Sequence, residues 1–195
     1  MKLSYWIIVG KTRLAPKLEW QRAASGWRAK IAGQPYFYKV EREAPKNKNE
    51  VTVWYLKIYS GKRNRRINIA GRSHFELAMV YTSVAARAIA ELIESEEKDF
   101  IPYKIAPAKK IFVGKERRYL DEFSWEIKGS NYAYNKEEFD GYYLSRNYDC
   151  KKDDPWDLRI IFPGGADSPE NCGAWELKGI DSLRIGQAIV ALMRV

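Results

Sequence analysis

The 195-residue chain carries 34 Lys and Arg against 25 Asp and Glu, has a single histidine and two cysteines, and is 46% hydrophobic. That length suits one domain or two small halves sharing a core, and the apolar fraction argues against extended disorder. Two cysteines, Cys150 and Cys172, are too few for a disulfide framework or a zinc knuckle, and one histidine excludes a multi-histidine metal site. No apolar run approaches 18 residues and Met1–Val9 is too short for a signal peptide, so a soluble intracellular protein without membrane association is expected.

Leu3–Val9 reads as an opening strand, and residues 11–24, mixing charge with Pro16 and Trp20, as a loop. Four strands follow: GWRAKIAG, PYFYKVERE, EVTVWYLKIYS and RRINIAG. Turn chemistry lies at Gly33-Gln34-Pro35, at Ala44–Asn49 and at Ser60–Asn64. Strand alternation puts Trp27, Ala29, Ile31, Trp54, Leu56 and Ile58 on one face. The other face receives Arg28, Lys30, Lys39, Lys57 and Arg66, with Phe37, Tyr55 and Tyr59 among them. Ser73 and Glu76 stand at capping-box spacing, and Leu77, Val80, Tyr81, Val84, Ala85, Ala88 and Leu92 recur at helical spacing, which predicts a helix from Ser73.

After a connector at 99–108 the plan repeats. FSWEIKG, GYYLSRNY, DLRIIF and GAWELKG read as strands, and Asp181-Ser182 caps a final apolar helix. The fold expected is α+β: two ββββα pseudo-repeats, 1–98 and 109–195, whose antiparallel sheets are each backed by a helix.

Charge is divided unevenly between the halves. Residues 1–72 hold 17 Lys or Arg against four Glu, and residues 73–195 hold 17 against 21 Asp or Glu. A basic sheet face with interleaved rings suits single-stranded nucleic acid, because cations neutralise phosphates and rings stack on unpaired bases. The candidate binding residues are Arg28, Lys30, Phe37, Lys39, Tyr55, Lys57 and Tyr59, extended by Lys62, Arg63, Arg65 and Arg66 in the third hairpin.

The stretch PYFYKVERE…VTVWYLKIYSGKRNRRINIAG…FELAMVYTSVAARAIAELIE resembles a PUR repeat, the unit of the Pur-alpha family. The matching positions are Tyr36, Phe37 and Tyr38, then Leu56, Lys57 and Ile58, then Arg65, Arg66, Ile67 and Ile69, and the closing helix. The Whirly proteins share a similar duplication, although their K-G-K-A-A-like motif is absent here and the loop between the second and third strands is longer and rich in Lys and Asn. The resemblance implies single-stranded DNA or RNA bound on the sheet surfaces, in homo-oligomers or with a paralogous partner, without a cofactor.

Two other classes fit parts of the chain. Asp157, Glu176 and Lys178 resemble the key residues of a PD-(D/E)xK nuclease, in which two carboxylates hold Mg2+ and the lysine activates water. Against it, Trp125–Gly129 repeats W-E-x-K-G without a matching aspartate. A basic virion, ribosomal or inhibitor protein acting through protein contacts would also use exposed rings.

Overall fold

A computed structural model of the chain describes residues 6–31, 33, 34, 36–43, 45, 47, 51–60, 74–103, 110–114, 116–119, 125–128, 131–137, 140–146, 156–161 and 174–193. The chain is α+β, with antiparallel sheets packed on two helices. The first repeat-specific sheet is a meander of β3 (Glu19–Ala23), β4 (Gly26–Lys30), β5 (Tyr36–Glu43), β6 (Val53–Ser60) and β7 (His74–Val80), closed by α1 (Ser83–Ile93). The second runs β11 (Glu126–Lys128), β12 (Asn131–Glu137), β13 (Asp140–Arg146), β14 (Trp156–Ile161) and β15 (Ala174–Ile180), closed by α2 (Leu183–Leu192). Each sheet therefore has one strand more than the four expected from the sequence.

A third sheet joins the halves. It comprises the hairpin β1 (Ile7–Val9) and β2 (Thr12–Leu14), the short β8 (Phe100–Pro102), and the hairpin β9 (Lys110–Val113) and β10 (Glu116–Tyr119), in the order β10-β9-β1-β2-β8. The β1–β9 pairing places Ile8 opposite Phe112, so the two hairpins meet about a pseudo-twofold axis. Gly10 and Gly114 turn these hairpins with φ of +59° and +62°, a conformation that favours glycine in both copies.

The duplication is written in the residues once the strands are aligned. I-x-V-G-K-x-R occurs at 7–13 and 111–117, W-x-L-[K/R]-I at 54–58 and 156–160, and A-I-x-x-L at 88–92 and 188–192. Loop lengths differ between the copies, so the spacing between equivalents shrinks along the chain and a fixed-period scan blurs them.

The helix starts later than its spacing predicts. Residues 74–80 are β7, paired antiparallel with β6, and the cap is Thr82, whose Oγ1 accepts from the amide of Ala85 at 3.1 Å. Leu77 and Val80 are buried as strand residues at the helix side of the sheet. Their three-residue separation mimics a helix because β7 is irregular where Leu56 and Lys57 pair with Ala78 and Glu76, which shifts the phase of the alternation. The predicted strand at 65–71 and the cap at Ser73 lie outside the described residues. In the second half Ser182 caps α2 as expected, accepting from Ile185. The segment 11–24, expected as a loop, instead supplies β2 and β3.

Alanines let α1 approach its neighbours closely, and every residue from Ala85 to Ile93 is buried. A helix buried on all sides is one enclosed by other elements. The inward side chains Tyr38, Val40, Leu56 and Ile58 of the first sheet are fully buried, and α1 also packs on β9 and on α2. Their equivalents Tyr142, Leu144, Leu158 and Ile160 face α2. Tyr36 and Tyr38 carry their hydroxyls to the Glu94 carboxylate at the end of α1, Tyr38 at 2.6 Å. This satisfies the polar ends of two large buried rings.

Glu91 is the buried acid of α1, 2% exposed. It accepts from the amides of Lys17 (2.7 Å) and Leu18 (3.1 Å) and from Trp20 Nε1 (3.3 Å), which pins the crossover from β2 to β3 against the helix. Burial outweighs these donors and holds its pKa above the ordinary glutamate value. The folded chain thus binds this proton more tightly than the unfolded chain, so its contribution to stability rises as pH falls from neutrality through the folded pKa towards the ordinary 4.5. Glu91→Ala removes the shared acceptor of these three bonds and should lower the unfolding free energy by about 3 kcal/mol in urea titration. Glu91→Gln keeps an acceptor oxygen and should lose far less. The stability difference between wild type and Glu91→Gln should move towards wild type as pH is lowered from neutral to about 4.5.

Candidate nucleic-acid interface

The candidate residues of the first repeat gather on one surface. Because β4, β5 and β6 present alternate residues to opposite faces, the positions between the buried Ala29, Tyr38, Val40, Leu56 and Ile58 point away from α1. Arg28 and Lys30 are exposed there, and Phe37, Lys39, Tyr55, Lys57 and Tyr59 are half-buried. Lys62, Arg63, Arg65 and Arg66 lie outside the described residues.

Register orders these side chains into rows across the strands. One row runs Arg28, Lys39, Lys57 and on to the position of Glu76. The next runs Lys30, Phe37, Tyr59 and the position of His74. A third runs Gly26, Glu41, Tyr55 and the position of Met79. With neighbouring strands about 4.8 Å apart, the three cations of the first row span only about 10 Å.

Rings and cations are stacked on one another. Phe37 and Tyr59 lie parallel, 5.0 Å between centroids and 4° between planes, and the Arg28 guanidinium sits 3.9 Å from the Phe37 centroid. Lys39 lies 5.9 Å from the Tyr59 ring and Lys57 5.7 Å from Tyr55. The order Arg28–Phe37–Tyr59 is a stack whose rings support the guanidinium, a geometry arginine favours through its flat, weakly hydrated head.

Glu41 also belongs to this face, among its cations. The Glu41 carboxylate accepts an ion pair from Lys39 and another from Lys57 at 3.2 Å, and a hydrogen bond from Ser25 Oγ at 3.0 Å. Burial by itself would raise its pKa, but the hydrogen bonds from the two lysines and Ser25 and the charge of Lys39 outweigh that and hold the value below an ordinary glutamate. Its place two residues after Lys39 on the same face was a signal available from alternation alone. Glu41, Arg42, Glu43, Tyr55 and Lys57 line an open depression of about 390 Å³, in which the Tyr55 hydroxyl donates to Glu43.

The second repeat carries a different outward face on the same inner pattern. Where the first has Arg28, Lys39, Lys57 and Glu76, the equivalent row reads Ala133, Tyr143, Arg159 and Glu176. Where the first has Lys30, Phe37, Tyr59 and His74, it reads Asn135, Gly141, Ile161 and Ala174. Ser145 stands in the place of Glu41, opposite Asn131 and Asp157.

The residues expected for a nuclease lie on this second face. β14 and β15 pair antiparallel, with Arg159 opposite Glu176. Asp157 falls at the irregularity of that pair, and its Oδ1 accepts from the amide of Gly179 at 3.0 Å, a bond that fixes the turn of β15 at a φ of +73°. Lys178 is half-buried beside it. Among the described residues, no group of three or more His, Cys, Asp or Glu is placed to hold a metal ion, and no helix is long and apolar enough to cross a membrane. Comparison with protein-family models, curated proteins and solved structures finds no match to the chain.

The Phe37–Tyr59 stack predicts a measurable coupling. A double-mutant cycle with Phe37→Leu and Tyr59→Leu, followed by urea denaturation, should give an interaction of about 0.5–1.5 kcal/mol. Additive losses would mean the rings contribute area alone.

Proposed function

We propose that this chain is a non-catalytic single-stranded nucleic-acid-binding protein whose contact surface is the outward face of β4, β5 and β6. The observation that carries the reading is the row Arg28, Lys39 and Lys57. Like charges placed directly opposite one another weaken a sheet. The second repeat builds the same inner face with a single cation, Arg159, in that row. The fold therefore does not require the charge, and a polyanionic partner supplies a reason for it. Phosphates neutralised by these side chains release condensed counterions, which drives association at low salt.

A sheet face suits a single strand better than a duplex. Duplex grooves admit a helix or a two-stranded ribbon, whereas splayed single strands lie on sheets with their bases against rings. The stacked Phe37 and Tyr59 first hold Arg28 in place, and bases add to this stack at its open margins or against Tyr55. Binding led by backbone contacts conveys little base information, so low sequence selectivity is expected.

The test is fluorescence anisotropy with a labelled single-stranded homopolymer beside a duplex of equal length. Wild type should favour the single strand, with affinity falling steeply as salt rises. Changing Arg28, Lys39 and Lys57 together to Gln should weaken binding by at least about tenfold and reduce the slope of log K against log salt by about 2. Arg159→Gln, on the other face, should stay within about twofold of wild type. A triple variant that binds as wild type does would refute the surface.

A further inference from the structure

We infer that the space held by the Glu41 carboxylate is a phosphate subsite, and that Glu41 occupies it in the free protein as a built-in competitor of the nucleic-acid backbone. This rests on the reading of the first sheet as the binding face. A carboxylate held by two ammonium groups and a hydroxyl, here Lys39, Lys57 at 3.2 Å and Ser25 Oγ at 3.0 Å, has the donor set that a phosphodiester oxyanion takes. The two lysines also belong to the cation row, and their side chains are only 31% and 22% exposed, so they cannot serve Glu41 and a phosphate independently.

The fold does not demand an acid there. In the second repeat the same register position is Ser145, and the pattern of inward residues is the same without it. Tyr55 lies directly opposite on β6 and donates to Glu43, while Arg42 on the same strand reaches Thr52. The shift of Glu41 towards ionisation is what two shared lysines produce, and it means the competitor is fully charged at neutral pH. A phosphate arriving between Lys39 and Lys57 must displace that carboxylate or sit beside it. The competitor lowers affinity for isolated anions more than for a polymer, which brings further contacts at Arg28 and Lys30 in the same event.

The consequence is a gain of binding on removing an acid. Glu41→Gln should bind the labelled single strand about tenfold more tightly than wild type, with the slope of log K against log salt steeper by about 1. Glu41→Ser, which installs the residue the second repeat tolerates at this position, should do the same, and near-ultraviolet circular dichroism checks that each variant is folded. Inorganic phosphate should compete more effectively against the oligonucleotide on Glu41→Gln than on wild type. If wild type binds and both folded variants bind equally or more weakly, the subsite is overturned while the interface stands. If neither wild type nor the variants bind any single strand, both readings fall together.

Discussion

The burial of α1 on every side is the constraint from which the rest of the architecture follows. A helix whose nine residues from Ala85 to Ile93 are all shielded needs neighbours on all flanks. Here they are the inward face of the first sheet, strand β9 and helix α2. Each repeat-specific sheet devotes one face to a helix, and that face admits only residues such as Leu56 and Ile58, or Leu158 and Ile160. The outward faces are released from this requirement. Any chemistry beyond stability has room there, and the contrast between the two repeats shows how far such faces can diverge on a common interior.

That contrast separates what the fold needs from what it merely carries. Cross-strand aromatic pairs stabilise sheets without a ligand, so the Phe37–Tyr59 stack alone would be an ordinary structural feature. The adjoining cation row runs the other way. Arg28, Lys39 and Lys57 stand shoulder to shoulder, and the Glu41 carboxylate pairs with the two lysines. Local arrangements that oppose stability tend to mark functional positions. Parallel rings packed against one another and capped by Arg28 present edges before faces.

Much of this face was legible from alternation, because a period of two assigns Lys39 and Lys57 outward as firmly as it assigns Tyr38 and Leu56 inward. The late start of α1 was not. Leu77, Val80 and Val84 share helical spacing, and only the pairing of β7 with β6 reveals the first two as strand residues. The joining sheet was hidden for another reason. Three-residue strands such as β2 and β8 carry too little pattern to stand out, and the β1–β9 pairing joins segments distant in sequence. Glu41 is harder to read because an acid in a strand of mixed charge, Lys39, Glu41, Arg42 and Glu43, resembles a solubilising charge until its two lysines are seen around it.

The duplication also bears on why the net positive charge lies in one half. A single repeat of this kind would leave its helix with an uncovered flank, since α1 packs on α2 and on β9, both from the second repeat. The joining sheet binds the copies further, because β1 pairs with β9 through the centre of the pseudo-symmetric arrangement. The second repeat thus completes the core, and it can do so with any tolerable outward face. Charge gathered on both faces would raise self-repulsion across a small body. The row of Arg28, Lys39 and Lys57 concentrates positive charge on one face of the first sheet, while the acidic balance of residues 73–195 offsets the total. The two halves share an interior, and their outward faces are free to differ.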